Sequence, residues 1–328
     1  DIVQFAKTSS SLAVIGADTG SNPIYLAKGE YNETLAMPVY TATASNASVG
    51  CIAPKVAGNL NDEPLLLSRH GIYGLSTNYL SEKYAISRSG KIDRRLCKES
   101  DLHDAVGITF NNYFYVAING RMYILDGRHR NQSKNGDSSY ECYYFEGLPN
   151  IKDMFVIDGR MYFTDNSLMY TWNSDMPETY KYYDNLSIDA GTGEASGDPV
   201  EAKWSSVFDD DGAPQRLKTL MKKGTVAVLI PYYKTGCEVT LVKDGDVFEK
   251  LGSVESGMTS FEYVDFSAFS FSSNGVATDV FTKKKIKKYK RLQIILENKN
   301  PEPFGITQIV KTYIRSEERR VGKECRSR

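Results

Sequence analysis

The chain is poor in the side chains that most often carry catalysis or bind metals. Its 328 residues include only three histidines and five cysteines. The cysteines are widely spaced and form no CxxC pair, which argues against a zinc site or a dithiol redox motif. We expect Cys51, Cys97, Cys142 and Cys237 to be reduced thiols in a protein that folds in cytoplasm. The fifth cysteine, Cys325, lies in the C-terminal tail considered below.

Long apolar segments and helical periodicity are also missing. The longest strongly apolar stretch, Val226 to Ile230, stops at Pro231 and is far too short to cross a bilayer. No segment keeps the periodicity of an amphipathic helix for three turns. We therefore expect no membrane span and a chain built from strands.

Tyrosine, in contrast, is abundant. The 22 tyrosines outnumber 14 phenylalanines and 2 tryptophans, and 41% of the residues are apolar. Tyrosine suits a pleated, half-buried surface, because its ring packs while its hydroxyl stays hydrated. This composition is typical of a globular β-protein.

A strand–turn–strand motif occurs twice. The segment from Asn119 to Asp126 returns as Asp158 to Asp165, 39 residues later. Asn-Gly and Asp-Gly supply the two positive-φ positions of a type I′ hairpin turn. Gly120 and Gly159 are therefore predicted turn residues.

The tyrosines that follow these turns, and two weaker echoes upstream, suggest a longer repeat. Tyr25, Tyr73, Tyr123 and Tyr162 are separated by 48, 50 and 39 residues. A hairpin cannot bury its apolar face alone, so recurrence at about 40–50 residues favours stacked sheets, as in a β-propeller. We expect Tyr73, Tyr123 and Tyr162 to be equivalent packing positions. At about 45 residues per blade, the region up to residue 190 would hold around four blades.

The sequence up to about Asn185 consists of short apolar runs separated by polar turns. The segment from Arg128 to Ser139 is predicted to be one of the polar loops. The predicted strands are Val14–Ile15, Leu65–Leu67, Ile108–Phe110, Phe114–Ile118, Tyr140–Phe145 and Met154–Ile157.

The sequence predicts an all-β chain with two domains. A partial β-propeller-like domain, truncated at its N-terminus, covers residues 1–190, and a small, polar linker covers 191–199. A β-sandwich-like domain follows over 200–314. We favour a strand over a short helix for Arg216 to Lys223. The other strands predicted here are Val200–Trp204, Thr225–Ile230, Glu238–Val242, Phe261–Phe271 and Leu292–Leu296.

Candidate chemical sites are few, and each has a simpler interpretation. The run Asp209 to Gly212 could bind a hard cation but lacks the spacing of a calcium loop, so a solvated turn is favoured. His103 and Asp104 could form an oriented base, but no nucleophile motif accompanies them. Asp126 and Asp165 could serve a glycosidase, yet their repetition suggests turn chemistry. We assign no catalytic, cofactor-binding or metal-binding residue and predict no cofactor.

The strongest charge cluster is the basic run from Lys283 to Arg291, with seven basic residues in nine. It leads directly into the predicted strand at Leu292, so the favoured interpretation is structural, with lysine stems lying over apolar surface. Contact with an acidic partner and direct nucleic-acid binding are the alternatives.

The last fourteen residues, Arg315 to Arg328, resemble the in-frame translation of a DNA-sequencing adapter. We treat them as an artefact and exclude them from fold reasoning. The natural chain is then expected to break off near Ile314, with both natural ends missing, as in an assembled environmental fragment. Without this tail 34 basic residues face 38 acidic ones, a net charge near −4.

The region 200–314 resembles the C-terminal region of structural tail proteins of tailed bacteriophages, of the head-to-tail stabilisation and tail-nozzle group. The upstream hairpins resemble the propeller blades that precede it there. The similar segments are Glu201–Trp204, Gly212–Leu220, Ile286–Leu296 and Pro303–Ile306.

The resemblance implies a non-enzymatic virion component that forms a homo-oligomeric ring, commonly a hexamer, on the portal or adaptor. DNA would pass through the ring during ejection without specific binding. The alternative is a glycan-binding adhesin that displays Trp172, Tyr180, Tyr182 and Tyr183 in a shallow groove. A hydrolase with convergent carboxylates is a second rival.

Overall fold

We describe the protein from a computed structural model. The described residues are 2–8, 11–19, 23–45, 47–56, 58–75, 85–132, 138–172, 182–220, 226–229, 236–255, 278–280, 286–301, 304, 306 and 308–315. The chain divides into two compact units, Asp1–Trp172 and Asn173–Arg328. The division lies earlier than the predicted boundary at residue 190.

In the first unit, the described residues form four antiparallel sheets, one after another along the chain. Sheet 1 consists of β1 (Ile2–Lys7), β2 (Leu12–Gly16), β3 (Ile24–Asn32) and β4 (Met37–Ala44). Sheet 2 consists of β5 (Gly58–Leu60), β6 (Glu63–Ser68), β7 (Gly71–Leu75) and β8 (Ala85–Ser87). Sheet 3 consists of β9 (Val106–Phe110), β10 (Tyr113–Ile118), β11 (Arg121–Gln132) and β12 (Ser138–Glu146). Sheet 4 has three strands among the described residues, β13 (Asp153–Ile157), β14 (Arg160–Thr164) and β15 (Met169–Thr171).

Each sheet packs on the next one in chain order. Side chains alternate between the two faces of a strand, so each sheet has a back face toward the preceding sheet and a front face toward the following one. In sheet 2, Leu66 packs against sheet 1, whereas Leu65 and Leu67 pack against sheet 3. In sheet 3, Tyr123 packs against sheet 2 and Met122 against sheet 4. The predicted all-β fold with propeller-like stacked sheets is confirmed.

The first strands of successive sheets lie beside one another, as the inner strands of propeller blades do. Strand β9 is next to both β5 and β13. These strands begin at Gly58, Val106 and Asp153, which are 48 and 47 residues apart. A Cβ at Gly58 would lie 2.3 Å from the Thr109 hydroxyl, and one at Gly107 would lie 2.9 Å from a Val56 methyl. Glycine at both positions lets the inner strands approach closely.

The repeat defined by the sheets corrects the prediction for Tyr162. Asn119–Gly120 joins the second and third strands of sheet 3, whereas Asp158–Gly159 joins the first two described strands of sheet 4. Tyr73 and Tyr123 lie on back faces, as predicted for equivalent packing positions. Tyr162 lies on the front face, whereas its neighbour Met161 lies on the back face. Tyr162 is therefore not equivalent to Tyr73 and Tyr123. Both turns have the positive φ angles predicted for type I′.

The predicted polar loop Arg128–Ser139 is wrong at both ends. Strand β11 continues to Gln132 and β12 begins at Ser138. A register shift between Asp126 and Arg130 lets the ladder resume beyond a bulge. Polar composition concealed these strands, and Arg128, His129 and Arg130 at this end of β11 are exposed. Among the described residues of this unit, the helical structure consists of α1 (Asp93–Leu96) and a 3-10 turn (Leu102–Asp104).

The described residues of the second unit form strands in four sheets. A four-stranded sheet is formed, in spatial order, by β18 (Ala202–Ser205), β24 (Leu292–Asn298), β21 (Gly236–Lys243) and β22 (Val247–Glu255). The smaller sheets are formed by β16 (Tyr183–Ile188) with β17 (Ala195–Pro199), β19 (Lys218–Leu220) with β26 (Tyr313–Arg315), and β20 (Val226–Leu229) with β23 (Thr278–Val280) and β25 (Gln308–Lys311).

The core of the second unit lies on one face of its four-stranded sheet. Val239, Leu241 and Leu296 point from this sheet toward Leu220 and Ile309 of the smaller sheets. This arrangement is sandwich-like, as predicted. Of the segment Arg216–Lys223, for which a strand was preferred over a helix, Lys218–Leu220 is a strand, and residues 221–223 lie outside the described residues.

Three further predictions in the second unit are wrong, wrong in part, or concern residues outside the described ranges. The predicted linker 191–199 is wrong, because Ala195–Pro199 is a strand of an exposed hairpin whose polar turn begins at Asp189. Arg315, assigned to the adapter-like tail, is the last residue of β26 and is opposite Lys218. The predicted strand Phe261–Phe271 and the rest of the tail lie outside the described residues.

Candidate functional site

A buried carboxylate fixes the Asn119–Gly120 turn of sheet 3. Glu99 follows α1, and its side chain is only 4% exposed. It accepts hydrogen bonds from the Tyr123 hydroxyl at 2.6 Å, the Arg121 guanidinium at 2.9 Å and the Asn119 amide at 3.1 Å. Three side chains of the repeated motif therefore converge on one acid, which anchors the turn to the segment after α1.

The electrostatics of this cluster hold Glu99 ionised. Burial acts to raise the pKa of Glu99, but the hydrogen bonds from Tyr123, Asn119 and Arg121 outweigh it and leave the pKa below its ordinary value. Burial, together with the Glu99 carboxylate, raises the pKa of Tyr123. The acid stays charged and the phenol stays neutral near pH 7, so the cluster is suited to holding structure.

A second buried acid lies between sheets 2 and 3. Arg88 donates from Nη2 to Glu63 Oε1 at 2.5 Å and from Nε to Oε2 at 2.9 Å. The two side chains are 8% and 10% exposed. The Tyr140 hydroxyl donates to Glu63 at 3.3 Å, linking the pair to sheet 3. A Cβ at Gly74 would lie 2.4 Å from the Glu63 carboxyl carbon, so glycine makes room for the ion pair.

A shallow open hollow of about 350 Å³ lies where turns of sheets 1 and 2 meet. Its acid, Asp18, accepts hydrogen bonds from Gly50 N at 2.9 Å, Ser68 Oγ at 2.8 Å and Arg69 N at 2.9 Å. Burial acts to raise the pKa of Asp18, but these hydrogen bonds outweigh it and lower the pKa. The carboxylate ties turns together and is held by three protein donors.

The predicted solvated turn at Asp209–Gly212 is an ion-pair cluster. The Lys311 ammonium, whose side chain is 18% exposed, pairs with the carboxylates of Asp209 and Asp211. Tyr289 donates its hydroxyl to Asp211 at 3.5 Å. The hydrogen bond from Lys311 lowers the pKa of Asp209. A lysine of the protein thus supplies the positive charge that the sequence suggested a cation could bring.

The histidine candidates lie on the surface. His103 Nε2 is 3.1 Å from Asp104 Oδ1, and both side chains are more than half exposed. His70 lies in the turn between β6 and β7, and His129 is exposed on β11. The His103–Asp104 contact joins neighbours within one exposed turn.

The two repeated aspartates have different local roles. Asp126 is fully buried and accepts two hydrogen bonds from the Arg128 guanidinium, each 3.1 Å. Asp165 accepts from Ser167 N and Leu168 N at 2.8 Å each, which is turn chemistry, as predicted. Asp126 also accepts from Arg128 N at 2.9 Å, so both aspartates have the predicted turn chemistry and Asp126 adds an ion pair.

The basic run has a buried, apolar side. Ile286 and Tyr289 are 1% and 0% exposed and belong to the core of the second unit. The other described residues of the run are exposed: Lys287, Lys288, Lys290 and Arg291. This alternation supports the structural interpretation of a segment leading into β24. Lys283–Lys285 lie outside the described residues.

The aromatic residues named for a glycan groove differ in their surroundings. Trp172 packs edge-on against Tyr115 and Phe145, each at 5.7 Å between ring centroids. Tyr182 and Tyr183 are half-buried in the second unit, and Tyr180 lies outside the described residues. Trp172 is therefore part of the packing beside sheet 3.

The four described cysteines are free, as predicted for reduced thiols. Burial raises the pKa of Cys51 and of Cys237 to about 11 and that of Cys142 to about 12. Cys51 donates its thiol to Ala53 O at 3.2 Å. Buried, protonated thiols of this kind are poor nucleophiles.

Within the described ranges, the polar clusters above connect strands and turns to one another. No group of three or more His, Cys, Asp or Glu residues in those ranges could hold a metal ion. Nor does this part of the chain contain a helix with the length and apolar character needed to cross a membrane. Sequence reasoning missed Glu99 and the Glu63–Arg88 pair, because each acid and its partners are 20 or more residues apart.

Comparison with known proteins gives no relative that identifies the chain. No protein-family model matches it, and no curated protein matches it. Among solved structures, BamB from Moraxella catarrhalis is similar at 14% identity and a TM-score of 0.25, over 51% of this chain and 41% of BamB. An exo-β-1,3-galactanase from Phanerochaete chrysosporium, with galactose, is similar at 11% identity and a TM-score of 0.26, over 93% of this chain and 78% of that one. Likenesses this weak carry no argument about function.

Proposed function

We propose that the protein is a non-enzymatic structural component of a tailed-bacteriophage virion. In this role it forms part of a homo-oligomeric ring in the tail or neck, held by other tail, portal or adaptor proteins. DNA crosses the ring during ejection without specific binding. The protein is made in the cytoplasm of the bacterial host and ends in the virion.

The observation that carries the proposal is that the phage-like segments meet in one core. Trp204 in β18 is opposite Leu296 in β24, within the four-stranded sheet. Leu220, from another phage-like segment, and Tyr289, from the same segment as Leu296, are fully buried in the core beside this sheet, and Phe304 of the fourth segment packs against that core. These segments are dispersed over about a hundred residues, yet they form one core. A domain shared with the phage tail proteins would have this arrangement.

Charge also supports a conduit. Without the adapter-like tail the chain has a net charge near −4. A slightly acidic wall repels phosphate and lets DNA slide, whereas a basic wall would hold it.

The proposal is tested on the purified protein by mass photometry and negative-stain electron microscopy. We expect rings with a central opening. We also expect no retention of double-stranded DNA in a mobility-shift assay at 50 mM salt. A protein that stays monomeric at every concentration, or DNA binding that weakens steeply with salt, would contradict the proposal.

A glycan array separates the conduit from an adhesin. Trp172 packs on Tyr115 and Phe145, so we expect Trp172→Ala to lower stability without removing a binding activity. Binding of the wild type to a defined glycan, lost in a folded Trp172→Ala variant, would favour the adhesin.

A further inference from the structure

The hairpin of β16 and β17 is an exposed, acidic arm of the second unit. It forms a two-stranded sheet of its own, and most of its described side chains are exposed. Residues 183–199 include no lysine or arginine. Their acidic residues, all exposed, are Asp184, Asp189, Glu194 and Asp198. An isolated two-stranded hairpin is only marginally stable in water, so a partner that covers this acidic arm would stabilise it.

The acidic residues of the arm reinforce one another's charge. Asp184 and Asp198 are directly opposite in the pairing register, and like charges at such positions destabilise a sheet. Asp189 accepts hydrogen bonds from Thr192 N and Gly191 N at 2.8 Å each, which lower its pKa and keep it ionised. The acidic arm is therefore a concentrated negative surface that a cationic partner would relieve.

The described part of the basic run, residues 286–291, presents the opposite charge. Its exposed cations are Lys287, Lys288, Lys290 and Arg291. The salt bridges formed among the described residues leave all four of them out, so they face no carboxylate of their own copy. Four unpaired cations within five residues make this the counterpart of the acidic arm.

The backbone beneath these cations is held in place. Tyr289 is fully buried, and the fully buried Lys218 donates from Nζ to Lys290 O at 2.7 Å. Asp244 accepts from Lys290 N at 2.8 Å and from Arg291 N at 2.9 Å. The cations are therefore displayed on a preorganised segment, which lowers the entropic cost of binding an anionic partner.

The acidic arm and the basic run lie at opposite ends of one strand. At the base of the arm, Val200 N donates to Tyr182 O at 2.8 Å. Two residues later Ala202 begins β18, opposite Asn298 at the end of β24. The basic run ends immediately before β24 begins at Leu292. The bases of the two surfaces are thus separated by the length of β24, about 20 Å.

We propose that the acidic arm of one copy of this chain binds the basic run of a neighbouring copy. Charge complementarity selects this occupant, because the chain itself carries both surfaces and holds them at opposite ends of one sheet. Since the two surfaces differ, the contact is heterologous and closes into a ring if the rotation per copy allows it. The inference rests on the ring proposed above and names its contact surfaces.

Nucleic acid is the less favoured partner for these cations. Tyr289 is fully buried and donates its hydroxyl to Asp211 at 3.5 Å, so it offers no ring face on which a base could stack. Binding of DNA to the basic run would also leave the acidic arm uncovered. An arm seated on the run instead removes the cations from the path of DNA, as a conduit requires.

The test is sedimentation equilibrium of the full chain and of charge-reversal variants at low salt. The arm variant is Glu194→Lys with Asp198→Lys. The run variant is Lys287→Glu with Lys288→Glu. All four side chains are exposed, so their replacement leaves the core unchanged.

Two controls match the changes in net charge at exposed positions of the first unit. The control for the arm variant is Glu30→Lys with Glu33→Lys, in the β3–β4 hairpin. The control for the run variant is Arg94→Glu with Lys98→Glu, in and just after α1. Far-UV circular dichroism checks that every variant is folded.

We expect the wild type and both controls to associate into a multiple of 36.7 kDa. Each of the arm and run variants should associate at least about tenfold more weakly, because like charges then meet at the contact. Association of the wild type should weaken as salt is added, since the paired charges lie at the surface.

A mixture of the arm variant and the run variant gives the sharpest result. The reversed arm of one variant meets the reversed run of the other, and the two unaltered surfaces also meet. The mixture should therefore recover the association of the wild type, with the two variants alternating. A single chain with all four substitutions should recover it as well.

Several outcomes would overturn the inference, and they are distinguishable from failure of the proposed function. An oligomer that both variants retain would place the contact elsewhere and leave the ring intact. Loss in the variants without recovery in the mixture would exclude pairing of these two surfaces. Retention of double-stranded DNA that the run variant loses would assign the cations to nucleic acid. A wild type that never associates would count against the ring as well.

A second measurement needs no variants. Zero-length carbodiimide cross-linking is applied to a mixture of nitrogen-15-labelled and unlabelled wild type. We expect mixed-label peptides that join Lys287 or Lys288 of one copy to Glu194 or Asp198 of another. Cross-links of these residues found only within one copy would overturn the inference.

Discussion

Two hairpins with nearly the same sequence have different places in the molecule. Both Asn119–Gly120 and Asp158–Gly159 adopt positive φ at both residues and close a two-residue turn. In the first hairpin, Tyr123 is completely buried toward the preceding sheet and donates to Glu99. In the second hairpin, Tyr162 is half-buried on the opposite face and stacks on Phe155.

The difference shows where local sequence stops determining structure. The dipeptide decides the turn, because only certain residues adopt left-handed φ angles without strain. The position of the hairpin in its sheet depends on which strands precede it. Strand β9 precedes the first hairpin, whereas β13 starts the described part of sheet 4, so the same tyrosine points to the other face. Because neighbouring antiparallel strands run in opposite directions, moving the same hairpin over by one strand rotates it by half a turn about an axis in the sheet and reverses its faces.

The largest expected difference between the hairpins comes from removing each tyrosine side chain. Tyr123→Ala should lower the free energy of unfolding by about 3–5 kcal/mol, as for other large buried side chains. Tyr162→Ala should cost less than half as much, because its ring is half-exposed. Urea unfolding of both variants measures this difference. Equal losses would mean that the two tyrosines are equivalent after all.

Replacing the acidic residue associated with each hairpin should give the next largest difference in stability. Glu99→Gln weakens hydrogen bonds from three donors and should cost about 1.5–3 kcal/mol, the range for bonds to charged groups. Asp158→Asn is the matched change in the other hairpin and should alter stability by less than about 0.5 kcal/mol, because Asn-Gly forms the same turn. Comparable losses in the same denaturation assay would contradict the anchoring role of Glu99.

The two turn glycines form a further matched pair. Either glycine replaced by alanine should cost about 1–2 kcal/mol, because alanine is strained at left-handed φ. Gly120→Ala should cost more, since its Cβ would lie 2.8 Å from the Leu148 carbonyl oxygen, whereas nothing lies within 4 Å at Gly159. Thermal unfolding midpoints of the two variants give the comparison. A larger loss at Gly159 would argue against the described packing of Leu148 on the turn.

The smallest expected effect is on acid stability. The pKa of Glu99 is lowered in the folded protein. Its contribution is therefore complete above the unfolded-state pKa of about 4.3 and is lost as pH falls through the lower folded value. Wild type and Asp158→Asn should lose stability in parallel below about pH 4.5, and Glu99→Gln should lose less. Parallel curves for all three proteins would exclude a contribution from Glu99.

Strand positions in this protein follow from sequence more readily than strand partners do. The apolar runs at Leu65–Leu67 and Phe114–Ile118 lie in β6 and β10, as predicted. The turns at Asn61–Asp62 and Asn111–Asn112 also have positive φ, but neither contains glycine, so the sequence signal was weaker. Those turns mark the true repeat, with first strands 48 and 47 residues apart.

Polar partners were the least predictable part of the structure. Arg88 is 25 residues from Glu63, and Lys311 is 102 residues from Asp209. The turn at Asp209 was predicted to be solvated, because no local pattern connects residues so far apart. Only packing of the sheets brings them together.

The central claim is that each sheet presents its front face to the back face of the next. The most direct measurement is a nuclear Overhauser experiment on protein with labelled methionine and isoleucine methyl groups. Met161 and Ile124 are both buried between sheets 3 and 4, so we predict a cross-peak between their methyl groups. A cross-peak from the Tyr162 ring to Ile124, with none from Met161, would reverse the faces of sheet 4 and contradict the account.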